Sequence, residues 1–106
     1  MTRRSVGDRV GAILGSQPDG SIKVFGFGVY EGDFVPDEAV GFFADAMKES
    51  KITNPRILLD GGERVYGCEC WWGSEAGVQK QLDGQTVVLV TVAEVRRGFL
   101  ARTRDA

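Results

Sequence analysis

The sequence contains no histidine. That absence removes the commonest general base, the usual activator of a serine or cysteine nucleophile, and the commonest nitrogen ligand of a metal site. Cysteine is nearly as scarce. Cys68 and Cys70 are the only two, half of what a structural zinc site built from thiolates needs, so no metal and no cofactor is implied. They also lack the helical Cys-x-x-Cys spacing that stabilises a thiolate, and they read as reduced core thiols. Long apolar runs are missing too: the longest is Val87-Val88-Leu89-Val90, whereas a membrane-spanning helix needs ~20 residues. Met1-Thr2-Arg3-Arg4-Ser5 is followed by Gly7-Asp8-Arg9 rather than an apolar stretch, which does not read as a secretory signal and makes the cytoplasm the expected compartment.

What is present fits one domain over residues 1–106, with flexible ends at 1–5 and 98–106. Apolar residues make up 42% and charged residues 26% of the chain, which excludes a disordered or fibrous class. The net charge of -2 is unevenly spread. Arg3 and Arg4 lie at one end, Arg96, Arg97, Arg102 and Arg104 at the other, and the acidic surplus lies between. Arginines beside chain ends are commonly solvated, and the chain as a whole lacks the strongly basic footprint of a nucleic-acid binder.

Fifteen glycines and three prolines punctuate a β-rich pattern. Gly7–Leu14 reads as a first strand and Gln17-Pro18-Asp19-Gly20 as a turn. Ser21–Tyr30 follows as a second strand, with Phe25, Phe27 and Val29 on its core face. Pro36-Asp37-Glu38 has the composition of a helix start. Apolar Ala39, Val40, Phe42, Phe43, Ala46 and Met47 then recur at helical intervals, as on a helix lying on a sheet and ending near Ser50. Arg56–Asp60, the turn Gly61-Gly62 and Arg64–Trp72 form a second hairpin. Ser74–Leu82 reads as a short capped helix, and Thr86–Val95 as a strand covered on both faces. The expected fold is mainly β (α+β): a small bent antiparallel sheet, or a partly open five-stranded barrel, with a helical insertion between strands 2 and 3 and a short helix before strand 5.

The opening "GDRV" and the hairpin "RILLDGGERVYG" resemble the small five-stranded barrels of the Src-homology and Tudor type, over about half of the chain. The resemblance implies a binding module rather than an enzyme.

"GCECWWG", residues 67–73, concentrates both cysteines and both tryptophans. Strand alternation puts Tyr66, Cys68, Cys70 and Trp72 on one face, the better core, and Val65, Gly67, Glu69 and Trp71 on the other. Glu69 and Trp71 then offer a carboxylate beside an indole plane, a small recognition surface unless a helix covers it. Glu31 and Asp33, in a glycine-flanked loop, read as turn chemistry, and "GFGVYEG" lacks the lysine and spacing of a phosphate loop. The expected function is non-catalytic binding of a small molecule, a peptide or a protein through Trp71, Glu69, Tyr30 and Arg56. Two alternatives use the same chain: a homodimer or complex subunit whose exposed aromatics make protein contacts, and nucleic-acid binding through the arginine-rich ends.

Overall fold

The computed structural model describes residues 4–105, with side chains through 101. β1 (Arg9–Ser16) and β2 (Ile22–Phe34) form the first hairpin, closed where Gly20 N–H donates to the Gln17 carbonyl at 2.9 Å. Asp19 tightens the turn by accepting from both the backbone and the hydroxyl of Ser21. Next come α1 (Phe42–Glu49), β3 (Asn54–Leu59) and β4 (Arg64–Tyr66), followed by a 3₁₀ turn at Gly67–Glu69. β5 (Trp71–Ser74), α2 (Glu75–Leu82), β6 (Val87–Leu89) and α3 (Val92–Asp105) complete the order.

The sheet runs β4-β3-β2-β1-β5, all neighbours antiparallel, and β6 adds to the start of β2 in parallel register. The fold is therefore mixed α+β and mostly β, with an open sheet rather than a barrel: β4 and β5 at its two ends do not pair. Among the described residues no helix is long and apolar enough to cross a membrane.

Alternation along β1 divides the core into two layers. Val10 and Ala12 face Phe25, Ile57, Leu59 and Val65, with Val92 of α3 closing that layer. Ile13 turns the other way and packs with Val24 under Val78 of α2. α2 begins as its sequence demands, with the Ser74 hydroxyl oxygen accepting from Gly77 N–H at 3.1 Å.

β2 breaks the alternation expected of it. Phe25 belongs to the first layer and Phe27 to the second, although two residues apart they should share a face. Gly26 causes the exchange: it sits at φ +127 where the β1–β2 register shifts, a bulge at a backbone angle that glycine tolerates best. Downstream of it Tyr30 returns to the first layer.

Four more sequence expectations change. The helix anticipated from Pro36 begins at Phe42. Pro36–Ala39 instead makes tight turns that bury Ala39 against Tyr66, and Gly41 adopts φ +108 under the Phe99 ring, which fills the space a Cβ would need. Phe42 and Phe43 do not lie on the sheet; they are 85% and 66% exposed, and Ala44 is the buried residue of α1. The strand expected over Arg64–Trp72 is interrupted by the 3₁₀ turn.

The strand expected over Thr86–Val95 shrinks to Val87–Leu89, whose three side chains are exposed rather than covered. It stops because Thr91 and Glu94 form a reciprocal cap: the Thr91 hydroxyl oxygen accepts from Glu94 N–H, and the Glu94 carboxylate accepts from Thr91 N–H. Glu63 adds a second carboxylate, accepting from the N–H groups of Val92 and Ala93 at 2.8 and 2.9 Å. A helix starts there and runs to Asp105.

Candidate functional site

The four residues expected to form a recognition surface are dispersed. Tyr30 lies flat against Trp72, ring centroids 5.6 Å apart at 15°, and its hydroxyl donates to Asp33. Arg56 pairs with Glu31 at 2.8 Å, and its guanidinium stacks 3.6 Å above the Phe34 ring. Arg64 reaches the same Glu31 oxygen at 3.1 Å.

Glu69 turns inward at the 3₁₀ turn. Arg96 grips both of its carboxylate oxygens at 2.8 Å, and Tyr66 N–H donates to it at 3.0 Å. Trp71 stands apart on β5, 53% exposed. The pairing of Glu69 with Trp71 on one strand face is thus corrected: the 3₁₀ turn separates them, and Glu69 is engaged inside the molecule. Trp72 joins Cys70 against the core, on the face expected for both.

The arginine-rich ends are also partly committed. Arg96 is taken by Glu69, and Arg3 and the side chains of Arg102 and Arg104 lie outside the described residues. So do the first three of the five N-terminal residues expected to be flexible.

A different feature offers a site. Gly41, at the start of α1, meets Phe99 of α3, and beside that contact a cleft of about 670 Å³ opens over the sheet. That volume lies within the ~300–1,000 Å³ typical of ligand sites. Phe43 and Ala44 form one wall, Val95, Gly98 and Phe99 the opposite one, and Val88 and Leu89 of β6 the rim. Leu14, Lys23, Cys68 and the Glu69–Arg96 pair also contribute to its lining.

Phe43 at 66% and Leu89 at 74% leave apolar surface open to solvent at the mouth. The sequence carried signals of this site: the adjacent phenylalanines of α1, the "VVLV" run, and the "TVAE" cap that starts α3. Of the four expected site residues, only Glu69 borders it.

The two thiols at and beneath the cleft are not activated. Burial pushes the Cys68 thiol above its ordinary range, and nearby Glu69 adds to the effect. Cys70, deeper, is pushed up to about 12 by burial first and by Glu69 second. Both thiols stay protonated at neutral pH and are poor nucleophiles. Among the described residues no three His, Cys, Asp or Glu side chains converge to hold a metal ion.

No family model, no curated protein and no solved structure matches the chain.

Proposed function

We propose that this chain is a non-catalytic binding module and that its ligand lodges in the cleft between α1 and α3. The observation that carries this reading is the exposed apolar lining of a concave site in a domain this small. Large side chains left in solvent forgo about 1.5–3 kcal/mol each of burial, and here Phe43, Val88, Leu89 and Phe99 surround one hollow of ligand size. The Glu69–Arg96 pair stiffens one wall by tying the 3₁₀ turn to α3.

The uncharged, polarity-sensitive dye Nile red provides the test. Saturable uptake with a blue-shifted emission is expected from the native chain. In Leu89→Asp, which sets a charge on the exposed rim without disturbing the core, uptake should fall at least about tenfold, since a desolvated carboxylate opposes an apolar ligand. Undiminished uptake by that variant, with an unchanged circular dichroism spectrum, removes the cleft as the binding site.

A second reading has one specific observation behind it. The exposed β6 edge, Val87–Leu89, is apolar and uncharged, the kind of edge that recruits another strand. On that reading the chain assembles with itself, and its mass in solution would rise with concentration.

A further inference from the structure

The charged groups around the cleft are not equivalent. Glu69 and Arg96 neutralise each other at 2.8 Å. Glu94 is held by Thr91 N–H at 2.7 Å as part of the helix cap. Lys23 is the exception: its ammonium makes no hydrogen bond or ion pair with any described residue. Asp19 feels it only as a longer-range charge, and that carboxylate is already occupied by Ser21.

Its position follows from β2. Ile22 and Val24 face the α2 layer, so Lys23 between them faces the other side, as Phe25 does. It stands opposite Val88 in the parallel β2–β6 register, at the edge of the apolar lining.

A lysine half-buried beside apolar walls, with no carboxylate in contact with its ammonium, leaves a place for an anion. We propose that the cleft takes small amphipathic carboxylates: an apolar chain along Phe43, Leu89 and Val95, and a single carboxylate on the Lys23 ammonium. This rests on the binding-module reading above and names its ligand class. A monoanion fits better than a phosphate, because one ammonium is the sole uncommitted cation among the described lining residues. Arg96, whose guanidinium fork would suit a multivalent oxyanion, is already bound to Glu69.

Displacement of Nile red separates the ligand class from the cleft reading. Decanoate is expected to displace the dye from the native chain about tenfold more effectively than decan-1-ol, the contribution of one partly solvated charged hydrogen bond. Lys23→Met should abolish that preference while leaving decan-1-ol unchanged, and Lys23→Arg should restore it. Native mass should show one chain with one decanoate.

Equal displacement by the acid and the alcohol overturns the carboxylate assignment while the cleft reading stands. A preference that survives Lys23→Met does the same, placing the anion elsewhere. Failure of both compounds to displace the dye, or a dimer that forms at the expense of decanoate, removes a small-molecule site altogether.

Discussion

The second hairpin and the α1–α3 cleft treat their side chains in opposite ways. Around the hairpin almost every polar group meets a partner inside the molecule: Glu31 with Arg56 and Arg64, Glu69 with Arg96, Tyr30 with Asp33 and Trp72. Around the cleft, apolar groups stay in solvent and Lys23 goes unmatched. A cluster of aromatic and charged residues in a sequence therefore marks internal cross-bracing as readily as recognition. The capacity to bind lies where packing stops short.

Mutations on the two sides should separate accordingly. The largest loss is expected from Trp72→Ala, which removes the stacking partner of Tyr30 and a wall of the main core, at about 3 kcal/mol in urea unfolding. Glu69→Ala comes next. It strands Arg96, whose side chain is 18% exposed, and uncaps the 3₁₀ turn. Breaking a partly buried pair of this kind costs about 2 kcal/mol after allowance for solvent screening. Replacing both partners, Glu69→Gln with Arg96→Met, should recover part of that loss.

The neighbouring Trp71→Ala should shift stability by no more than about 0.5 kcal/mol, because an exposed side chain leaves little behind. A Trp71→Ala variant as unstable as Trp72→Ala would collapse the distinction between the two tryptophans.

The gentlest test needs no mutation. The chain has two tyrosines, both on the braced side and both with hydroxyls raised above 10.0: Tyr30 by its bond to Asp33 and then by burial, Tyr66 by burial and then by Glu38. Because each group is raised in the folded state, its contribution to stability is complete below the ordinary value of 10.0. That contribution is lost as the pH climbs through the folded value. Ultraviolet titration should show tyrosinate appearing at higher pH in the native protein than in urea.

Local chemistry was legible in the sequence; phase and distance were not. The Gly61-Gly62 turn and the serine cap of α2 depend on neighbours a few residues away, and both stand where the pattern put them. The cap at Thr91 and Glu94 is equally local and was concealed by the β-branched run leading into it. The parallel pairing of β6 with β2 joins residues far apart in the chain and leaves no short-range trace. The expected pairing of Glu69 with Trp71 is absent because it was built on unbroken alternation from Tyr66 to Trp72, which the 3₁₀ turn cancels. Ion pairing across that turn then claimed Glu69.

Seen as a wave of period two, β2 carries a half-period slip at Gly26. The segment before it and the segment after it are each in phase with the core, but not with each other. Such a strand is indifferent to many exchanges of one apolar residue for another and highly sensitive to length. Removing Gly26 would take out the extra residue and leave an unbroken wave with Phe27 and Tyr30 still on their present layers, whereas replacing it with valine would keep the slip and force a branched side chain into φ +127. For this fold, loss of that one glycine should be borne better than its replacement, and a residue gained or lost elsewhere between Ile22 and Tyr30 should be the harsher change, because it turns the later side chains over.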